Sequence, residues 1–134
     1  MKILVCGGRA YGLTLDEENA ILDRLLEIHI NRPITKVITG GAKGVDTVAI
    51  KWAKQNQIPL MVYEADWNKN GKAAGPIRNA RMLACETIDL VVAFPGGKGT
   101  EDMVHKASTK EVPVLIIRNE FYARSHGRLP TRPG

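Results

Sequence analysis

Four short runs rich in Val, Ile and Leu, at Ile3 to Cys6, Lys36 to Thr39, Leu90 to Phe94 and Val114 to Ile117, are each bounded by Gly or Pro. A fifth, Leu60 to Tyr63, follows Ile58-Pro59. Runs this brief predict strands buried on both faces, the habit of parallel sheets. Between them the sequence switches to a helical period. Thr14 or Asp16 supplies an N-cap ahead of Glu17 and Glu18, and Ile21, Leu22, Leu25, Leu26 and Ile28 then recur at helical spacing before the stop at Pro33. Val45, Val48, Ala49, Trp52 and Ala53 share one face of a second helix over Val45 to Gln55, which makes Trp52 a core residue. A third helix is predicted from Pro76 to about Glu86, with Pro as its first helical residue, and a fourth from about Thr100 to Lys110. The alternation predicts an α/β fold of Rossmann-like, doubly wound type: a mainly parallel five-stranded sheet with helices on both faces. Only Asp66 to Gly75 reads as a loop of appreciable length, and such loops in small domains are often functional.

A chain of 134 residues has room for one core. Residues 1–118 are assigned to one domain, and 119–134 to a basic tail. With 44% hydrophobic and 25% charged residues the chain belongs with globular proteins, and an aromatic share of 5% argues against a stacking platform for single-stranded nucleic acid. The net charge of +5 favours anionic partners. Part of it lies in Arg118, Arg124, Arg128 and Arg132, which form either a solvated end or a binding arm. Cys6 and Cys85 both sit in apolar surroundings and are expected as reduced core residues. His29, His105 and His126 pair with neither cysteine at zinc-ligand spacing, so no metal is expected, and no cofactor. The run from Met1 to Cys6 is too short for a signal peptide, and no segment approaches the roughly 18 apolar residues of a membrane span. A cytoplasmic setting without a membrane partner is the expectation.

Three strand ends carry glycine: Gly7-Gly8-Arg9, Gly40-Gly41-Ala42-Lys43-Gly44, and Pro95-Gly96-Gly97-Lys98-Gly99-Thr100. In a parallel sheet they converge on one edge, where ligands of open α/β folds bind. Glycine lets a phosphate approach the main chain, and the helix that follows adds free N–H donors and the positive end of its dipole. Arg9, Lys43 and Lys98 offer counter-charges, and Thr100 a hydroxyl. Neither Gly-x-Gly-x-x-Gly nor Gly-x-x-x-x-Gly-Lys-Ser/Thr is present. Any one turn serves a tight βα connection as well as a phosphate; three on one edge point to a site.

The string Asp89-Leu90-Val91-Val92-Ala93-Phe94-Pro95-Gly96-Gly97-Lys98-Gly99-Thr100 closely resembles the signature of the SLOG superfamily, which includes the Lonely Guy phosphoribohydrolases and the Smf or DNA-processing proteins. Gly40-Gly41-Ala42-Lys43-Gly44-Val45-Asp46 is similar to a stretch of the DNA-processing branch. The resemblance is fullest to the YspA-like branch of bacterial and phage proteins, through Gly7-Gly8-Arg9, Ala65-Asp66-Trp67 and Gly71-Lys72-Ala73-Ala74-Gly75-Pro76-Ile77-Arg78-Asn79 as well. It implies a nucleotide-binding Rossmann-like domain, and a homo-oligomer, since superfamily members commonly assemble.

In the phosphoribohydrolases the loop continues as Pro-Gly-Gly-x-Gly-Thr-x-x-Glu, whose acid serves cleavage of the base–ribose bond while an Arg on the preceding helix contacts substrate. The third residue after Thr100 is here Met103; the acids Glu101 and Asp102 stand one or two positions earlier, turned by roughly 100° to 200° around a helix. By this resemblance Glu101 and Asp102 are the candidate catalytic acids, and Arg78 and Arg81, three apart on one helix face, the candidate arginines. Arg81 equally suits a surface ion pair with Glu86 or Asp89. Asp46 either caps its helix or binds a ribose hydroxyl. Trp67 can stack on a base, and the Asn79 amide can read a base or ribose edge. His105 lacks a catalytic partner.

Three functions follow, in order of preference. The first is binding or sensing of a nucleotide or nucleotide-derived ligand. The second is hydrolysis of a nucleoside 5′-monophosphate at its N-glycosidic bond. The third is binding of single-stranded DNA, which draws on the net charge and the basic tail.

Overall fold

Ile3, Leu4 and Val5 are all fully buried, as a strand covered on both faces demands. Their strand, β1 (Lys2–Cys6), lies at the centre of the sheet in the computed structural model, which describes residues 1–118. The basic tail inferred for 119–134 lies outside the described residues. β2 (Lys36–Thr39) and β3 (Leu60–Val62) extend the sheet on one side, and β4 (Leu90–Ala93) and β5 (Val114–Ile116) on the other. The order is β3-β2-β1-β4-β5 and every pairing is parallel. In the register, Ile3 stands opposite Val37 on one neighbour and Leu90 on the other. The winding reverses between β1 and β4, which opens a crevice at their carboxyl ends.

Successive strand residues face opposite sides, and each side has its own helices. α1 (Leu15–Asn31) and α2 (Val45–Gln55) place Ile21, Leu25, Val48 and Trp52 against Ile3, Val5, Val37 and Val92. Trp52 is a core residue, as its spacing predicts. α1 starts from a capping box: the Glu17 N–H donates to Thr14 Oγ1 at 3.2 Å, and Glu17 Oε1 accepts from the N–H of Thr14 and, at 3.0 Å, of Gly12. Thr14, rather than Asp16, is thus the cap. A buried Leu such as Leu25 holds this layer, and its truncation to Ala costs about 2–5 kcal/mol.

The segment expected as a loop, Asp66 to Gly75, is instead largely helical. Asp66 Oδ1 accepts the Lys69 N–H at 3.1 Å and caps a single turn, α3 (Trp67–Asn70), followed by a 3-10 turn (Gly71–Ala73). Four residues are too few for an apolar period to register in sequence. α4 (Ala74–Cys85) then begins two residues before Pro76, whose missing N–H is harmless within the first turn. With α5 (Lys98–Thr109) it covers the other face of the sheet, where Met82, Leu83, Met103 and Ala107 meet Leu4, Ile38 and Val91. Cys85 departs from its expected place in the core: Met82 and Leu83 turn to the sheet, while Ala84 and Cys85, at the end of α4, are exposed. No described helix is long and apolar enough to cross a membrane.

Candidate functional site

The turns after β1 and β4 touch main chain to main chain. The Gly8 N–H donates to the Pro95 carbonyl at 2.8 Å, and a Cβ on Gly96 would lie 2.7 Å from the Gly8 nitrogen. No side chain fits there, so glycine at this crossing is a steric requirement. Gly44, the N-cap of α2, has φ +75, and its α2 neighbour Val45 donates its N–H to the Gly8 carbonyl at 3.3 Å. The start of α2 is thereby tied to the β1 turn.

α5 begins at Lys98, and its first intrahelical bond runs from the Glu101 N–H to the Gly97 carbonyl at 3.0 Å. The N–H groups of Lys98, Gly99 and Thr100 come before that bond and so have no acceptor within the helix. Lys98, Gly99 and Thr100 line a cavity of about 810 Å³. Around it stand Gly7, Gly8 and Arg9 from the β1 turn, Gly40, Ala42 and Asp46 from the β2 turn and α2, Trp67 from α3, Arg78 and Asn79 from α4, and Pro95 to Thr100 with Asp102. Three glycine-rich turns thus meet at one edge, as the sequence predicts. Gly41 and Lys43 instead border an adjoining cavity of about 450 Å³.

Three predicted site residues border neither cavity. Gly44 is the α2 cap. Glu101 is exposed on α5. Arg81 shares a helix face with Arg78 only approximately, because three residues turn a helix by roughly 300°, and its guanidinium lies over the Tyr63 ring at 5.5 Å. It makes no ion pair with Glu86 or Asp89. Glu86 is held instead by Lys36 at 2.7 Å and by the Tyr63 hydroxyl, which donates at 2.5 Å. That bond, with burial, pushes the Tyr63 hydroxyl up to about 12.

Polar side chains form a continuous strut along the cavity. Arg78 Nη1 donates to the Gly40 carbonyl at 2.8 Å and Nε to Asn79 Oδ1 at 3.0 Å. Asn79 Nδ2 donates to Asp102 Oδ2 at 3.0 Å and to the Gly99 carbonyl at 3.2 Å. Lys106 donates to the other Asp102 oxygen at 2.5 Å. The buried Asn79 amide is therefore engaged within the protein at both atoms, rather than free to read a ligand edge. Asp46 neither caps α2 nor stands free: its Oδ2 accepts the Ala42 N–H at 3.1 Å and fixes the β2 turn.

Electrostatics sort these groups. Burial raises the Asp46 carboxyl, outweighing the N–H donors of its own turn and the charge of Arg78. Burial lowers Arg78, against the attraction of Asp46. Burial also opposes ionisation of Asp102, but Lys106 and Asn79 together hold its carboxyl below the usual carboxylate range. Cys6, at the cavity floor, is pushed up to about 12 by burial and the nearby Asp46 and so carries no thiolate at neutral pH. Asp102 is thus an ionised acid at the cavity, whereas Met103, at the position of the hydrolase acid, is fully buried in the core.

Sequence reasoning gave no role to Lys72, on the 3-10 turn, or to Glu17, both of which border the larger cavity, nor to Glu64, which borders the smaller. Lys72 lies inside the one segment singled out for its length. Glu17, which in sequence only follows the N-cap, is the acid of the capping box at the start of α1. Nothing in sequence marks Glu64.

The sequence profile of the YspA, cpYpsA-related SLOG family matches residues 1–70. The chain is also similar to the Gene 61 protein of Mycobacterium phage D29, with 31% identity over 121 residues that cover 85% of this chain and 94% of that protein.

Proposed function

The chain belongs to the YspA, cpYpsA-related SLOG family, and from that premise we propose that its larger cavity binds a nucleotide or nucleotide-derived ligand through a phosphate at the start of α5. The observation that carries this reading is that Lys98, Gly99 and Thr100, the first turn of a 12-residue helix whose N–H groups precede its first internal bond, line the same cavity as the Gly7-Gly8 turn. Arg9, Lys98 and Lys72 add positive charge around the same cavity. Thermal shift with the nucleoside 5′-monophosphates tests it: a bound ligand at 100 times its dissociation constant adds about 2.7 kcal/mol. Failure of every nucleotide to stabilise the protein counts against the reading.

A second reading, hydrolysis of an N-glycosidic bond, is favoured by one feature, the ionised Asp102 at the cavity. Its carboxylate is suited to stabilising an oxocarbenium-like centre. Free base released from a nucleoside monophosphate, and lost in Asp102→Asn, supports hydrolysis; binding without release leaves a sensor.

A further inference from the structure

On the α1 side of the sheet the helices stop short of the last strand. α5 covers β5 on the opposite side, whereas Leu115 and Ile117, which pack toward the α1 side, are only part-buried. Between them and α1 runs a groove of about 360 Å³. Its apolar part holds the buried Phe94 and Ile117, and along α1 it is edged by the exposed Asp16, Asp23 and Glu27. These acids stand at i, i+7 and i+11 and so form one row on the helix. Glu27 is met by Arg24 at 3.5 Å, while Asp16 and Asp23 have no ion pair among the described residues. Like charges one turn apart, as at Asp23 and Glu27, weaken a helix unless a cation lies against them.

The chain leaves the sheet at this groove, since Arg118 borders it. The residues that follow match its chemistry in order. Phe121 and Tyr122 come first, and Arg124, Arg128 and Arg132 then recur four apart against the one acid Glu120. Reach is ample: from Asp16 to Glu27 the helix extends about 17 Å, and ten residues beyond Arg118 span up to roughly 33 Å. A segment tethered at the mouth of a groove meets it at an effective concentration on the order of millimolar. A separate partner of the same composition has to outcompete that.

We propose that residues 119–134 occupy this groove, with Phe121 and Tyr122 on Phe94 and Ile117, and with Arg124 and Arg128 along the row of Asp16, Asp23 and Glu27. The arginines that sequence leaves open between a solvated end and a binding arm are then an internal clasp, which completes the core on the α1 side. The clasp is independent of what the glycine-rich crevice binds.

Trypsin cleavage after Arg124 and Arg128 in the full chain tests this, because a docked segment is cut only through its open state. Both bonds are expected to be cut at least about tenfold more slowly than in a free peptide of residues 119–134. The triple variant Asp16→Asn, Asp23→Asn, Glu27→Gln is expected to lose most of that protection while keeping the wild-type helical circular dichroism. The double variant Phe121→Ser, Tyr122→Ser, which leaves the groove itself unchanged, is expected to lose it as well. Glu101→Gln, at an exposed position on α5 across the sheet, is expected to keep it. Cleavage of the wild-type chain at the rate of the peptide, or protection indifferent to both multiple variants, overturns the clasp. Protection that fades on dilution gives the groove to the same segment of a second copy, and protection that requires added single-stranded DNA gives the arginines to nucleic acid; either result also overturns it.

Discussion

Asn79 donates its side-chain amide to Asp102 at 3.0 Å, bridging α4 and α5 beneath the larger cavity. The same amide accepts from Arg78, which reaches the β2 turn, so one residue connects both sides of the crevice. Asn79→Asp replaces the donor with a second carboxylate facing Asp102. Loss of a buried bond to a charged group costs about 1–3 kcal/mol, and a lower Tm is expected with no ligand present. A Tm equal to that of the wild type means that the strut carries no stability.

What could be read in sequence follows from how local each signal is. The β1 to β5 runs and the helical faces of α1 and α2 are patterns of neighbours, and the structure keeps them almost residue for residue. Arg78 and Arg81 are indistinguishable by spacing alone. What separates them is that Gly40 and Asn79 lie beside one and Tyr63 beside the other, and those partners come from distant parts of the chain. Asn79 was legible as polar and near a helix start, but its engagement depends on Asp102 and Gly99, which only the packing of α4 on α5 brings within reach. The helical turn at Trp67–Asn70 is too short to leave a periodic trace.

The glycines of the β4 turn differ in what they tolerate. A Cβ on Gly96 would meet the Gly8 nitrogen and the Thr100 side chain, whereas one on Gly97 meets nothing within 4 Å. Gly96→Ala must push the β1 and β4 turns apart and is expected to cost about 1–3 kcal/mol and to weaken nucleotide binding. Gly97→Ala, at φ -107, is expected to keep the wild-type Tm. Thermal melts of the two variants side by side check the contrast; equal losses mean that the crossing is not the constraint.

Stability at acid pH is set by carboxylates of both signs. Glu86 lies below its ordinary value of 4.5 because Lys36 and Tyr63 bond its charged form. Its stabilisation is complete above about pH 4.5 and is lost as pH falls through the folded-state value. Asp102, below 3.8, acts in the same sense. Asp46, raised above 3.8 by burial, acts in the opposite one: its contribution is present below 3.8 and is lost as pH rises through its folded-state value. Glu86→Gln is therefore expected to melt lower than wild type at about pH 6 and to lose less on acidification to about pH 3. Parallel Tm curves for the two proteins would remove Glu86 from the acid transition.

Met103 separates inheritance of a loop from inheritance of a reaction. The phosphoribohydrolase pattern puts an acid at this position, yet here the side chain is fully buried in the cluster formed with Leu4, Tyr63 and Met82. Met103→Glu would put a carboxylate into that core without a described cationic partner there. An unpaired buried charge costs roughly 3–5 kcal/mol, a large part of the stability of a domain this size. The variant is expected to unfold at a much lower temperature and to release no base from nucleoside monophosphates. Asp102, one residue earlier on α5 and at the cavity, is the acid that the fold itself presents. A folded Met103→Glu protein that gained hydrolysis would show that α5 can rotate its next residue into the site, and would overturn the assignment of Met103 to the core.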